Sequence, residues 1–157
     1  MIIRFFPFII FTVCAFALGF VAVAEHIWGI EPCILCIYAR IPYWIAMILS
    51  LFAIPLKRYL PLLYCITFLT GAGISIYHVG VEHKVFNAPA SCSAIKPMKN
   101  LNLSDIESTI MNRKVVRCDV VNWRLLTRSA SEWNLLLVII LFIFSGAIGR
   151  EQWIRKR

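Results

Sequence analysis

The chain has 157 residues, of which 61% are hydrophobic and only 15% are charged. A soluble domain carries roughly 25% charged residues, so this composition excludes an ordinary soluble protein and indicates a single integral membrane domain. The formal net charge is +8, from 16 Lys and Arg against 8 Asp and Glu. Because these charges flank the apolar segments and form no basic patch interleaved with aromatic residues, they argue against nucleic acid as a partner.

Four apolar segments are long enough to cross a bilayer. A hydrocarbon core of about 30 Å needs roughly 20 helical residues. Backbone groups in lipid must be paired within the segment, and the alternation typical of barrel strands is absent, so helices are predicted. In chain order, the predicted helices are residues 5–24, 37–56, 60–81 and 133–149. The sequence therefore predicts an all-α membrane protein, a four-transmembrane-helix bundle over residues 1–157 with outer loops 25–36 and 82–132.

The distribution of Lys and Arg predicts how the bundle is oriented. One side carries a single acidic residue, Glu151, and seven basic residues. The seven are Arg4, Lys57, Arg58, Arg150, Arg155, Lys156 and Arg157. The short loop on the other side has Glu25 and Glu31 but no Lys or Arg, and long loops count less in this rule. We therefore expect both termini in the cytoplasm, and cleavage of a long signal peptide after Ala24 would leave the later loops on the same sides.

The long outer loop contains one predicted helix of its own. Ser104 and Glu107 have the spacing of a capping box, and Ile106 and Ile110 recur at a helical interval. This pattern predicts a short amphipathic helix over Ser104–Met111 that lies on the membrane surface. An ordinary loop helix that packs on the bundle fits the same pattern equally well.

The six cysteines divide into two groups. Four are predicted to lie on the outer side of the membrane, and they are Cys33, Cys36, Cys92 and Cys118. The bacterial periplasm is oxidising, so disulfides can persist there. Cys14 and Cys65 fall within predicted helices, where an isolated cysteine usually acts as a small hydrophobic residue. We therefore expect any cysteine chemistry to involve the four outer residues.

Two features favour a reactive thiol at Cys36. It lies near the N-terminus of the second predicted helix, where the helix dipole and free N–H groups favour an anion. Arg40 follows four residues later and is predicted to share a helix face with Cys36, so that a permanent cation favours the thiolate. Alternatively, Arg40 extends to the lipid headgroups. Pro42 disfavours helical backbone at Ile41, so this helix is predicted to start later than Ile37 or to kink.

Three other interpretations stay open on the residues alone. The outer thiols, with His26, His78 or His83, can form a zinc site, although one cysteine pair is close and the other is 26 residues apart. The outer cysteines can also form two disulfides that only staple the loops of a non-enzymatic scaffold. Finally, Arg40 and His78 can line the polar path of a small transporter.

A family resemblance rests on one sequence run and its context. The run is Pro32-Cys33-Ile34-Leu35-Cys36-Ile37-Tyr38-Ala39-Arg40. Together with the four predicted spans and the Cys92/Cys118 pair, it resembles the disulfide bond formation protein B (DsbB) family over almost the whole chain. His78 and Trp123 also match family positions, whereas Pro42 departs from the family pattern. Vitamin K epoxide reductase-like proteins are less similar, because their CxxC motif lies at a later helix.

The resemblance implies a quinone-dependent, disulfide-forming oxidoreductase of the bacterial inner membrane. Such a protein reoxidises a periplasmic thioredoxin-fold oxidant of the DsbA type and passes the electrons to a membrane quinone, either ubiquinone or menaquinone. Cys36, Arg40 and His78 would bind the quinone, and no metal is expected.

The resemblance also implies a role for each outer cysteine. Cys92–Cys118 would be the loop disulfide that meets the partner, whose thiolate attacks Cys92. Cys118 would then exchange with the Cys33–Cys36 disulfide by attacking Cys33. Cys36 would be left as the thiolate that faces the quinone, and Arg40 would stabilise it.

Overall fold

The computed structural model describes residues 2–56, 58–89, 92, 118 and 124–154. The helices in this part of the chain are α1 (Ile2–His26), α2 (Ile34–Tyr38), α3 (Ile41–Leu51), α4 (Ala53–Leu56), α5 (Leu60–Glu82) and α6 (Ala130–Ile154). A hairpin of β1 (Arg124–Leu125) and β2 (Arg128–Ser129) precedes α6. The stretches long and apolar enough to cross a membrane are Phe5–His26, Ile34–Leu51, Leu60–Glu82 and Ala130–Ile154, which confirms the predicted four-span fold. The predicted amphipathic helix Ser104–Met111 and Trp123 lie outside the described residues.

The second membrane span is divided into three helices, where the sequence predicted one helix over residues 37–56. A turn at residues 39–40 separates α2 from α3. Pro42 lies in the first turn of α3 and has no N–H to donate to the carbonyl of Tyr38, so the first helix cannot continue through it. Pro55 has the same effect further on, and the span is interrupted again before α4. The kink predicted from Pro42 is therefore present, and the single predicted helix is wrong.

The helices pack as a bundle around one apolar core. α5 lies along α6, α1 along α3, and α3 along α5. The close approach of α3 to α5 depends on Gly71, where an added Cβ would lie 3.0 Å from Cγ of Pro42. Cys14 is fully buried, as predicted for a cysteine that acts as a small hydrophobic residue. The core residues are Phe6, Ile10, Cys14, Tyr43, Ala46, Leu60, Tyr64, Phe68, Val138, Leu141 and Ile148.

Large apolar side chains also cover the outside of the bundle. Phe16 on α1 is 76% exposed and Ile54 on α4 is 91% exposed. A soluble protein with such a surface would be prone to aggregate. In a bilayer the lipid tails cover it, because they are as apolar as the side chains themselves. The exposed apolar surface therefore supports the assignment of these helices to the membrane.

A chain of hydrogen bonds joins three of the spans. The Tyr43 hydroxyl on α3 donates to Oδ1 of Asn134 on α6 at 2.8 Å. The side-chain amide of Asn134 in turn donates to Oγ of Ser75 on α5 at 2.7 Å. Because lipid offers no competing partners, such polar contacts help to hold membrane helices together. The Tyr43–Asn134–Ser75 chain therefore fixes α3, α5 and α6 relative to one another.

The segment before α6 is tied to the end of α5. Glu82 accepts hydrogen bonds from the hydroxyl of Ser129, at 2.8 Å, and from that of Ser131. The hairpin turn contains Leu126 and Thr127, whose φ angles of 51° and 71° are the positive values that a type I′ turn requires. These contacts place the first turn of α6 beside the end of α5, next to the cysteines described below.

Candidate redox site

The four cysteines singled out from the sequence meet at one end of the bundle. Cys92 and Cys118 form a disulfide, whereas Cys33 and Cys36 are free thiols. Cys33, Cys92 and Cys118 are buried in one apolar cluster with Val81 of α5, and Cys36 packs against this cluster. The disulfide of the long loop therefore lies in the same buried cluster as the cysteine pair at the start of the second span.

The Cys33–Cys36 pair is built on the first turn of α2. Cys33 is the N-cap residue, and its Sγ accepts a hydrogen bond from the Cys36 N–H at 3.3 Å. The two thiols are also hydrogen-bonded to each other, with their sulfur atoms 2.9 Å apart. This capping begins the helix at Ile34, earlier than predicted. From the sequence, the helix N-terminus was expected to stabilise a thiolate at Cys36. In the reduced pair, the N–H of Cys36 instead stabilises negative charge on Cys33.

His78 of α5 completes the surroundings of this pair. Its side chain is buried, and its Nε2 lies 3.5 Å from Sγ of Cys33 and 4.0 Å from Sγ of Cys36. The hydrogen bond from the Cys36 thiol, followed by those from His78 and the Cys36 N–H, lowers the pKa of Cys33, and together they outweigh burial, which raises it. Cys33 is therefore disposed to be a thiolate, which is the nucleophilic form of cysteine.

Arg40 is held by an ion pair with Glu25. The guanidinium donates to the carboxylate of Glu25 near the end of α1, and the two side chains are only 22% and 20% exposed. The predicted helix face shared by Arg40 and Cys36 is wrong, because α2 ends at Tyr38 and Arg40 is the N-cap residue of α3. Arg40 nevertheless lines the same cavity as Cys36.

That cavity has a volume of about 160 Å³ and lies beside the cysteine pair. α1 contributes an apolar wall that includes Ala17, Leu18, Phe20, Val21 and Ala24. The polar lining comes from other elements and includes Cys33, Cys36, Arg40, Tyr43, His78, Glu82 and Asn134. A mostly apolar cavity with a few convergent polar groups is typical of a site for a small organic molecule.

All three residues predicted to bind a cofactor line this cavity, and they are Cys36, Arg40 and His78. Glu25 and Asn134 also line it, although the sequence analysis did not single them out as site residues. Both are polar residues within or at the end of an apolar segment, and such residues are functional candidates by default. Had this rule been applied to Glu25, it would have suggested Glu25 as the ion-pair partner of Arg40.

The fold and the site define a multi-pass membrane protein with two cysteine pairs in one cluster beside a mostly apolar cavity. Residues 3–148 match the sequence profile of a family described as disulfide bond formation protein DsbB. Because the match spans nearly all of the chain, the protein belongs to the DsbB family. Membership in this family implies disulfide-forming oxidoreductase activity.

Curated relatives cover most of the chain. An uncharacterized protein of Rickettsia prowazekii is 33% identical over 144 residues, which are 89% of this chain and 84% of the relative. Disulfide bond formation protein B of Xylella fastidiosa strain Temecula1 is 26% identical over 155 residues, or 93% of this chain and 89% of the relative. Disulfide bond formation protein B of Acinetobacter baumannii is 24% identical over 137 residues, or 80% and 78%. No solved structure matches the chain.

Proposed function

We propose that this protein reoxidises a periplasmic dithiol oxidase of the DsbA type and passes the electrons to a membrane quinone. The observation that carries the proposal is that the Cys92–Cys118 disulfide and Cys33 belong to one buried cluster, beside a mostly apolar cavity that Cys33 and Cys36 line. Two cysteine pairs in one cluster need only a short movement for electrons to pass between them by thiol–disulfide exchange. Relatives named disulfide bond formation protein B support the same activity.

The partner exchanges first with the loop disulfide. A thiolate of the partner attacks Sγ of Cys92, the Cys92–Cys118 bond breaks, and Cys118 leaves as a thiolate. The second thiol of the partner then resolves the mixed disulfide. The partner departs as a disulfide, and Cys92 and Cys118 hold the two electrons.

The loop pair then reduces the pair at the membrane. The Cys118 thiolate attacks Cys33 of the Cys33–Cys36 disulfide, and Cys36 leaves as a thiolate. Cys92 next attacks Cys118, which closes the loop disulfide again and releases Cys33.

The cavity fits a quinone head group, which is a flat, mostly apolar ring that carries two carbonyl oxygens. The α1 wall offers apolar contact, and Arg40 and His78 offer hydrogen-bond donors that would hold the carbonyl oxygens. A bound quinone supplies an acceptor for two electrons and two protons. Such an acceptor is needed because a DsbA-type oxidant has a potential of about −120 mV and is itself difficult to oxidise.

The test of this function follows quinone absorbance in a mixture of purified protein, quinone and a reduced thioredoxin-fold partner of the DsbA type. We expect continuous quinone reduction by the natural chain and none by Cys36→Ala. Cys65→Ala, which changes a cysteine of α5 that is not part of the site, is the matched control and should keep the full rate. A Cys36→Ala protein that reduces quinone as fast as the control would refute the assignment.

The proposed orientation has both termini in the cytoplasm and both cysteine pairs in the periplasm. In intact cells treated with a mild reductant, a membrane-impermeant maleimide should label Cys92. A cysteine introduced by Arg150→Cys, at the opposite end of α6, should be labelled only after the membrane is permeabilised. Labelling of both positions in intact cells, or of Arg150→Cys alone, would contradict this orientation.

A further inference from the structure

We propose that Cys33, Cys36 and His78 bind a zinc-class divalent metal ion when the two cysteines are reduced, and that the bound ion blocks their oxidation. Their ligand atoms all lie within 4.8 Å of one another. This site differs from the four-cysteine zinc site considered from the sequence, because the Cys92–Cys118 disulfide removes those two sulfur atoms as ligands. It takes one ligand from α5, a helix remote in sequence from the cysteine pair.

The distances come close to those of a tetrahedral zinc site. Zn–S bonds of about 2.3 Å and Zn–N bonds of about 2.0–2.1 Å place ligand sulfurs about 3.8 Å apart, and a sulfur and a nitrogen about 3.5 Å apart. Nε2 of His78 lies 3.5 Å from Sγ of Cys33 and 4.0 Å from Sγ of Cys36. The two sulfurs, now 2.9 Å apart, must separate by about 1 Å to share the ion. Rotation of the Cys36 side chain, which is partly exposed at the cavity wall, provides this movement.

The charges of the site also favour a divalent cation. Binding takes both sulfurs as thiolates, releases to water the protons that they still carry, and leaves a neutral complex of one metal ion and two sulfur anions. The carboxylates of Glu31 and Glu82 line the same cavity, whereas the nearby cation, Arg40, is already paired with Glu25. The cavity leaves room for water as a fourth ligand, since a zinc ion with three protein ligands keeps an open position.

The consequence is a block that depends on the redox state. A Cys33–Cys36 disulfide has no thiolate to offer, so only the reduced pair binds the metal. The bound ion holds both sulfurs as ligands, and they cannot form a disulfide until the ion leaves. Metal binding itself does not depend on the proposed quinone or partner, so the two proposals can be tested separately.

The first test uses Co²⁺ as a spectroscopic probe. The full chain with Cys92→Ala and Cys118→Ala is purified in detergent, reduced, freed of reductant without oxygen, and titrated with Co²⁺. We expect one ion per chain, with the thiolate-to-cobalt and ligand-field absorption of a tetrahedral site, and displacement by Zn²⁺. Oxidation of the Cys33–Cys36 pair should abolish these bands.

Single substitutions in that background identify the ligands. Cys33→Ser should abolish the thiolate-to-cobalt band. His78→Gln should weaken Co²⁺ binding at least about tenfold, because loss of a residue that only supports a metal ligand already costs about that much. Cys14→Ser and His83→Gln, a buried cysteine and an exposed histidine outside the site, should bind as the parent does. The proposal would be overturned if His78→Gln bound Co²⁺ as tightly as the parent, or if the oxidised Cys33–Cys36 pair bound Co²⁺ as tightly as the reduced pair.

A second measurement uses the natural chain and does not rely on loss of the loop disulfide. Zn²⁺ should protect Cys33 and Cys36 of the reduced protein from alkylation, as read by mass spectrometry of the two peptides, and a chelator should restore their reactivity. Alkylation of Cys33 at the same rate with and without Zn²⁺ would refute the site, even in a protein that reduces quinone normally. Conversely, a protected protein that never reduces quinone would refute the proposed function and leave the metal site standing.

Discussion

Replacement of His78 tests how the structure makes Cys33 reactive. A hydrogen bond to a charged group contributes about 1.5–3 kcal/mol, and one pKa unit corresponds to about 1.4 kcal/mol. The 3.5 Å contact between Nε2 and Sγ is long, so we take the lower value and expect His78→Ala to raise the pKa of Cys33 by about one unit. The sign follows from the chemistry, since the hydrogen bond stabilises the thiolate and its loss favours the thiol.

The measurement is the alkylation rate of Cys33 as a function of pH in the reduced protein, with the modified peptide identified by mass spectrometry. The midpoint of the profile should move upward by about one pH unit in His78→Ala, which lowers the rate about tenfold at a fixed pH below both midpoints. His83→Ala is the matched control, because His83 is exposed and bonds to Glu132, away from the pair. A midpoint that stays in place or moves downward in His78→Ala would refute the role given to this histidine.

Three further predictions address the exchange route, the cavity and the packing. In Cys118→Ala the free Cys92 thiolate should attack the disulfide of the oxidised partner and form a covalent complex on a non-reducing gel, and a complex formed through any other cysteine would contradict the route. Arg40→Ala should raise the apparent KM for quinone while the partner complex still forms, and an unchanged KM would exclude Arg40 from the quinone site. Gly71→Ala should lower the unfolding temperature, because its Cβ would lie 3.0 Å from a proline of α3, whereas Gly73→Ala meets nothing within 4 Å. Equal unfolding temperatures for the two glycine variants would show that the close approach is not needed.

The features of the fold that depend on local chemistry were predictable from the sequence. In lipid a long apolar segment has almost no choice but to be a helix, so the four spans follow from hydrophobicity and length. The break near Pro42 follows from a missing N–H, a property of one residue, and it was expected as a kink. The same reasoning applied to Pro55 would also have predicted the break before α4.

The contacts between helices were not predictable in the same way. The Glu25–Arg40 pair requires α1 and α3 to lie side by side with particular faces turned inward, and the rotation of a helix in lipid is fixed by its neighbours. The capping of α2 was missed for another reason. Helix starts are recognised by Ser, Thr, Asp or Asn, and a cysteine N-cap such as Cys33 does not belong to that set. This capping favours negative charge at Cys33 in the reduced pair, whereas the sequence pattern had predicted the negative charge at Cys36.

The ion pair changes what Arg40 can contribute to the site. An unpaired arginine in a membrane span is costly, and Glu25 makes Arg40 tolerable there by cancelling most of its field. The cation therefore favours a thiolate less strongly than an unpaired arginine would. That role passes to short-range hydrogen bonds from Cys36 and His78, which act on Cys33. Arg40 remains a donor at the cavity, where a ligand that competes for its guanidinium must displace or share Glu25. Substitution of either member of the pair should therefore affect ligand binding in the cavity more than the reactivity of Cys33.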